Sequence, residues 1–268
     1  MTTFVLMKMP LLFLFIFSTI LASNAQVLDS TRIVKVLSFN ILHGSTTNGD
    51  FDLDVLADLI QSTDADLVAL QEVDFKTNRA KKYDLVTELG WRTQMAPIFG
   101  RAMPYDGGEY GEGILSRFSF HATKNIGLPF IEGQEPRAVL QAEVLLPSSD
   151  TVVFIGTHLS HEGPEGRILQ VKKINQLIAE GGKPTILAGD LNDVPGSEAI
   201  EILEKHWTAT YDKENPEGTY SSTKPERKID YVMVYPKENW QVLKREVICD
   251  PIASDHCVYL VSLYLVGR

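Results

Sequence analysis

The stretch PTILAGDLND, residues 184–193, decides how this chain is read. Residues 184–189 form an apolar run of the kind that fills the inside of a sheet. Asp190, Asn192 and Asp193 follow, three oxygen-bearing side chains in four positions. Carboxylates are rarely buried without a partner. Either a turn starts here, or the strand delivers acids into a pocket, and the rest of the chain decides which.

The same layout recurs on both sides of this stretch. Residues 33–39 (IVKVLSF) are β-branched and apolar, a predicted strand, and Asn40 follows them. Residues 66–70 read as a second buried strand ending in Gln71 and Glu72. From residue 113 to 154 the pattern becomes short strands and turns (GILSRFSF, RAVLQAEVLL, TVVFIGTHL), the last reaching His158. Residues 229–234, 241–248 and 258–265 are further strands. Asp230 stands in the first of these, and Ser254-Asp255-His256 precede the last.

Helical spacing is scarcer. Leu53, Leu56, Ala57 and Ile60 recur with helical period after Asp52, a predicted N-cap. Residues 81–89 read as a helix stopped by Gly90. Residues 166–179 place Ile168, Val171, Ile174, Leu177 and Ile178 on one face, with Gly181-Gly182 closing the helix, and residues 197–203 read as a short helix. Many strands with few, clustered helices predict an α+β fold, two packed sheets with helices outside.

The bulk numbers narrow the function. The apolar share of 44% is ordinary for a globular chain of 268 residues. Lys8, the apolar stretch 10–22 and Ser23-Asn24-Ala25 have the layout of a secretory signal peptide. That stretch is shorter than the roughly 20 residues that span a bilayer. Residues 1–25 are therefore expected to be removed, leaving residues 26–268 as one domain, secreted or periplasmic and monomeric. N-terminal sequencing of protein from the native host should return a start near Gln26, and an intact Met1 or Met7 is the contrary result. No second hydrophobic span follows, so no transmembrane span is expected in the mature chain.

The net charge is −10, and loss of Lys8 makes the mature chain more acidic still. An acidic surface repels a nucleic-acid backbone but does not exclude a small phosphate ester bound through metal ions. Cys249 and Cys257 show no zinc spacing. They read as two separately buried thiols, an oxidised pair being the alternative in an exported chain. There is no Gly-x-Ser-x-Gly elbow for an esterase serine and no glycine-rich phosphate loop.

Singly, a strand-end Asn, Asp or His is weak evidence, because such residues commonly make turns. Together, Asn40, Glu72, His158, Asp190, Asn192, Asp230, Asp255 and His256 supply carboxylates, amides and imidazoles at comparable strand ends. Sheets place such ends at one rim. Carboxylates and amide oxygens suit hard cations such as Mg²⁺ or Mn²⁺. A histidine beside an aspartate is held in one tautomer and moves protons near neutral pH. The set predicts metal-assisted hydrolysis of a phosphate ester.

In order along the chain, LSFNILHG (37–44), VALQEVD (68–74), GILSRF (113–118), GTHLSHEG (156–163), LAGDLND (187–193), KIDYVMV (228–234) and ASDH (253–256) resemble the endonuclease/exonuclease/phosphatase superfamily. The resemblance implies a four-layer α/β/β/α sandwich of two mostly antiparallel sheets flanked by helices, DNase I-like, with its site at one rim. It implies Glu72 as the main metal ligand, with Asn40 and Asp255 beside it. Mg²⁺ or Mn²⁺ is the implied cofactor, and Ca²⁺ is a further candidate. It implies His256 as the histidine acting on water or the scissile phosphate, and Asp230 as its orienting partner. Asp190 is then the acid that positions or deprotonates the nucleophilic water, and Asn192 the amide on a phosphoryl oxygen. His158 matches the second histidine of phosphodiesterase members.

Asp193 reads as capping the turn ahead of Ser197. Arg79 is a candidate for binding an anionic group of the substrate, with Arg167 and Arg137 as further candidates, and His161 and Glu112 are candidates for facing the pocket mouth, a place in a loop being the alternative for both. These motifs give a reaction type rather than a substrate. The reading taken is a secreted phosphodiesterase acting on a small or lipid-linked phosphate ester. A secreted nuclease acting on DNA or RNA is the alternative, and a non-catalytic binding module is a third reading. The intact polar set argues against the module, because unused buried acids only cost stability.

Overall fold

The computed structural model describes residues 28–179 and 182–267, together with Met1. Residues 2–25 of the predicted signal segment, and Gly181 of the predicted helix stop, lie outside the described residues. Among the described residues, no helix is long and apolar enough to cross a membrane.

The first sheet comprises β1 (Ile33–Asn40), β2 (Leu67–Phe75), β3 (Ala96–Tyr105), β4 (Gly108–Ser116), β11 (Trp240–Ile248) and β12 (Val258–Leu265). Their order across the sheet is β11-β12-β1-β2-β4-β3. The second comprises β5 (Phe120–Gly127), β6 (Ala138–Leu145), β7 (Thr151–His158), β8 (Thr185–Asp190), β9 (Thr208–Ala209) and β10 (Asp230–Tyr235), in the order β5-β6-β7-β8-β10-β9. Pairing is antiparallel except between β1 and β2 and between β7 and β8. Helices α1 (Leu53–Ser62) and α2 (Leu85–Thr93) pack on the outer face of the first sheet. Helices α3 (Pro164–Ala179) and α4 (Glu198–Glu204) pack on the second, which completes the four-layer α/β/β/α sandwich.

Strand alternation explains where the polar residues go. In β1, Val34 and Val36 join the core between the sheets, while Leu37 and Phe39 pack under α1 and α2 with Leu56, Ile60 and Leu85. Ser38 and Asn40 continue the inward row. In β7, the row Val152, Phe154, Gly156 ends in His158. A Cβ on Gly156 would stand 3.4 Å from Ile114 and 3.5 Å from Ala69, so this row faces the other sheet. Register aligns Gly156 with Ala188, His158 with Asp190, and Asp190 with Asp230. The C-terminal ends of the two parallel pairs therefore deliver Asn40, His158 and Asp190 to one rim between the sheets. Gly189 permits this closeness, since a Cβ there would lie 2.0 Å from the Thr157 carbonyl oxygen.

Four features depart from the sequence reading. The strand read as ending at Gln71-Glu72 runs on to Phe75, through a register shift between Leu70 and Val73. The helix read over 81–89 starts at Leu85, because Lys81 and Lys82 adopt left-handed φ of 52° and 64° and Asp84 caps the Thr87 amide. Gly90 lies inside this helix rather than stopping it, and its role is close packing, as a Cβ would stand 2.8 Å from the Met95 carbonyl oxygen. Strand β3 gave no strand signal because Pro97 and Pro104 interrupt it, and the edge position tolerates them. Cys249 and Cys257 are bonded to each other rather than separately buried. The pairing of Ile248 with Val258 brings the ends of β11 and β12 together, at a Cα separation of 4.2 Å between the two cysteines.

One buried cation carries a stability prediction. Lys228 is 3% exposed, and its Nζ has no hydrogen-bond partner among the described residues. It lies 3.2 Å from the centroid of the Tyr259 ring. Burial pushes the ammonium down to about 7, against an ordinary value of 10.5. Between those values the unfolded chain binds more protons than the folded one, so Lys228 makes stability rise as pH rises. Lys228→Met should be more stable than the wild type near pH 7, and the gap should narrow towards about pH 10. Urea unfolding at both pH values checks this, and a gap independent of pH would refute it.

Candidate active site

A cavity of about 340 Å³ opens at the rim where the two parallel pairs end. Glu72, His158, Asp190, Asn192, Asp255 and His256 line it. Asn40 and Asp230 stand behind these residues, 1% and 0% exposed.

The best-defined contact is between a histidine and an aspartate. His256 Nδ1 lies 3.0 Å from Asp230 Oδ2 and 3.3 Å from Oδ1. Asp230 accepts there, so His256 Nδ1 carries the proton and Nε2 is left towards Asp190, 3.7 Å from its Oδ2. Burial works against the charge on His256, but Asp230 outweighs it by charge and hydrogen bond, with Asp190 and Asp255 adding to the effect. The imidazole is thereby held well above its usual range. Ser254 Oγ donates to the Asn40 carbonyl oxygen at 2.7 Å and accepts from the His256 amide at 3.2 Å, fixing the loop that carries His256 to the end of β1.

The second histidine is held in the opposite state. His158 Nδ1 lies 3.2 Å from Arg137 Nη1. Burial, and then the neighbouring guanidinium, push His158 well below the usual imidazole range, so it is neutral. Its Nε2 lies 2.9 Å from the Asn192 amide nitrogen and 3.5 Å from Asp190 Oδ2. Asp190 Oδ1 accepts from the Asn192 backbone N–H at 2.8 Å. Burial, reinforced by the charge of Asp230, raises the Asp190 carboxyl.

Glu72 reaches the cavity by a different route. Alternation would put it on the helix-facing side with Val68 and Leu70. The register shift in β2 and a left-handed φ of 57° at Glu72 turn it to the rim instead. Bulges of this kind concentrate next to active sites, where they re-aim a side chain. Asn40 donates to Glu72 Oε1 at 3.1 Å and to Asp190 Oδ2 at 3.4 Å. Burial opposes the charge of Glu72, but the hydrogen bonds from His43 and Asn40 favour the ionised form, and the carboxyl is held down at about 2. Asp255 shares the cavity, and burial, together with the charge of Glu72, raises its carboxyl.

The arginine candidates separate. Arg79 lines the cavity but is paired with Asp74, Nε to Oδ2 at 2.7 Å and Nη2 to Oδ1 at 2.9 Å. Arg167 does not line it. Its Nε is bound to Asp193 at 2.9 Å and its Nη1 to the Ser160 carbonyl at 3.0 Å, so it braces two loops behind the site. Asp193 accepts from the Val194 amide at 3.1 Å in the same turn. His161 lines the cavity, its Nδ1 3.2 Å from Arg137 Nη2. Arg137 is buried and also donates to Glu135 at 2.8 Å and to the Tyr110 hydroxyl at 3.3 Å. Glu112 is fully buried with neither oxygen hydrogen-bonded among the described residues. Burial, against the pull of Arg137, raises its carboxyl to about 8.

Other residues in the cavity, and one that touches a cavity residue from outside it, escaped the sequence reading. His43 lies within LSFNILHG, so its contact with Glu72 Oε2 at 3.4 Å had a local signal. Tyr110, Glu135, Tyr220 and Arg227 line the cavity itself. The last two reach it through a fold-back in which the Thr219 and Tyr220 amides donate to the Arg227 carbonyl at 2.7 and 3.0 Å, which the sequence did not foretell.

Known proteins share this architecture. The Endonuclease/Exonuclease/phosphatase family matches residues 37–256. YbhP of Escherichia coli, an uncharacterized protein, is 28% identical over 175 residues, which is 59% of this chain and 66% of YbhP. The chain thus spans just under two thirds of the length of this curated relative. The endonuclease/exonuclease/phosphatase of Beutenbergia cavernae superposes with a TM-score of 0.74 at 24% identity, over 88% of this chain and 72% of that one. The corresponding protein of Bacteroides vulgatus gives 0.72 at 20% identity, over 87% and 99%. At these identities the two structures speak for the fold alone. The matched span 37–256 encloses every candidate from Asn40 to His256, and the chain belongs to the endonuclease/exonuclease/phosphatase family.

Proposed function

We propose that the protein is a secreted or periplasmic, metal-dependent hydrolase of phosphate esters, a phosphodiesterase acting on a small or lipid-linked substrate. One observation carries this reading. A single cavity gathers Glu72, Asp255, Asp190, Asn192, His158 and His256, and buried Asp230 is bonded to His256.

The acids fit a hard cation. Glu72 is held ionised, Asp255 stands near enough for Glu72 to raise its carboxyl, and neither has a Lys or Arg partner among the described residues. Two oxygen donors on one wall without a cationic side chain suit Mg²⁺ or Mn²⁺. Glu72 and Asp255 would hold the ion, with Asn40 fixing Glu72 from behind. Asp190, Asp230 and His256 also bring ligand atoms within 4.8 Å of one another, but the Asp230–His256 hydrogen bond favours a proton-handling role there. When bound, the metal polarises phosphoryl oxygens and spreads their charge.

The chain's own groups divide the remaining work. Asp230 orients His256 and stabilises its imidazolium, so Nε2–H can donate to the reacting phosphate or the leaving oxygen. Asp190 orients the attacking water. Neutral His158 and the Asn192 amide sit where N–H groups can meet phosphoryl oxygens. The test is metal-dependent turnover of bis-p-nitrophenyl phosphate, with Mg²⁺ or Mn²⁺ supporting it. A folded, metal-loaded protein that leaves this substrate untouched would overturn the reading, and plasmid DNA cut faster than any small or lipid substrate would replace it with the nuclease alternative.

A further inference from the structure

We propose that the mouth of this cavity recognises one polyhydroxylated ring, so that the substrate is the phosphate ester of a sugar or cyclitol, an inference that rests on the phosphate-ester reading above.

Away from the acids, the lining changes character. One wall holds Arg79, Met103 and Tyr105. The Arg79 guanidinium lies 4.5 Å from the centroid of the Tyr105 ring, and its pairing with Asp74 through Nε and Nη2 leaves Nη1 uncommitted. Another wall holds Tyr220, Arg227 and Ile229. Tyr220 packs against His256 at 4.9 Å between ring centroids, so this wall adjoins the reacting group. Both walls thus combine a tyrosine face with a guanidinium. Glu135 and His161 also line it, each anchored by Arg137.

A polyol ring has an apolar C–H face and a belt of hydroxyls that both donate and accept. Tyrosine faces suit the first. Guanidinium groups only donate and a carboxylate only accepts, so Arg79, Arg227 and Glu135 together satisfy the second. The main competitors fit less well. A quaternary ammonium headgroup would bring a cation against two arginines and offer no hydroxyls to them. A nucleic-acid strand would bring a polyanion to a chain of net charge −10, and a cavity of about 340 Å³ is of the size that takes a small molecule.

Arg227 is the residue that reports on this. Arg79, Arg137 and Arg167 are each paired with a carboxylate, whereas exposed Arg227 has no such partner among the described residues. Its backbone carbonyl holds the fold-back, so its side chain can change without disturbing the fold.

The experiment compares kcat/KM of the metal-loaded protein on a hexose phosphodiester and glycerophosphoinositol in solution, phosphatidylinositol vesicles, sphingomyelin vesicles and a thymidine dinucleotide, with bis-p-nitrophenyl phosphate as reference. One of the polyol substrates should exceed the dinucleotide and sphingomyelin by about tenfold or more, the size of one charge-assisted hydrogen bond. The soluble and vesicle arms tell a free ring from a lipid-borne one. Arg227→Gln should lower the ratio of polyol to reference kcat/KM by about tenfold, with an unchanged circular dichroism spectrum. Turnover of the reference with the dinucleotide or sphingomyelin preferred, or an unchanged ratio in Arg227→Gln, overturns the polyol inference alone. No turnover of the reference overturns the phosphate-ester reading beneath it.

Discussion

His256→Ala should fold and yet hydrolyse bis-p-nitrophenyl phosphate about 10²–10⁴-fold more slowly than the wild type, the usual contribution of a general acid or base. The imidazole is fixed on one side by Asp230 at 3.0 Å and packed by Tyr220, and its other nitrogen points towards Asp190 at the cavity. No other described group occupies that place. Folding should survive because the segment is tied by main-chain bonds the substitution leaves intact. The Cys257 amide donates to Thr219 at 2.8 Å and the Ser222 amide to Asp255 at 2.7 Å. The variant nonetheless leaves the Asp230 carboxylate buried without its partner, a loss of roughly 3–5 kcal/mol in stability. Asp230→Asn should be slow as well, since an amide cannot stabilise an imidazolium as a carboxylate does. It should also move the alkaline limb of the pH profile. Asp230 is the main group raising His256, so without it the imidazole loses its proton at lower pH and activity falls earlier as pH rises. The two losses should be non-additive, because the pair acts as one unit. Near-wild-type turnover by a folded His256→Ala protein would reject the assignment.

The floor of this site is legible in the sequence because one rule generates it. Alternation along β1, β7 and β8 sends every second residue between the sheets, and Asn40, His158 and Asp190 are the last members of those rows. Glu72 obeys no such rule. Its path to the cavity depends on a bulge and a left-handed φ of 57°, which period-two reading would place on the wrong face, so its place at a strand end marked it but did not say which face it takes. Arg79 and Arg167 show a related limit. Both lie close to matching segments, but a chain position does not say whether a long side chain reaches the cavity or a neighbouring acid: Asp193 holds Arg167 away from it, whereas Arg79 pairs with Asp74 and still lines it. The mouth is legible least, since Tyr220 and Arg227 meet the cavity only after residues 219–229 fold back. The disulfide fails for the same reason, because it depends on how β11 and β12 pair rather than on the spacing of the cysteines.

Stripping divalent metal with EDTA should abolish activity, by about 10³-fold or more if the metal supplies several kcal/mol to the transition state. Mg²⁺ or Mn²⁺ should restore it. Glu72→Gln separates this effect from general damage to the site. The amide has nearly the same size, and Asn40 can still donate to its oxygen, so the local packing is kept. The charge is lost, and so is the contribution Glu72 makes by being ionised. Its carboxyl is held at about 2 against an ordinary 4.5, so this contribution is present above about pH 4.5 and fades as pH falls towards 2. Glu72→Gln should therefore need a much higher Mg²⁺ concentration for half-maximal rate, and excess metal should recover part of its activity. Excess metal should recover nothing for His256→Ala, because that variant lacks a proton-handling group rather than a ligand. The thermal midpoint gives an independent readout. Mg²⁺ that binds only the folded wild type raises it with concentration, and this rise should shrink in Glu72→Gln. Full activity in a metal-stripped wild type, or the same metal requirement and the same thermal shift in Glu72→Gln, would remove Glu72 from the metal site.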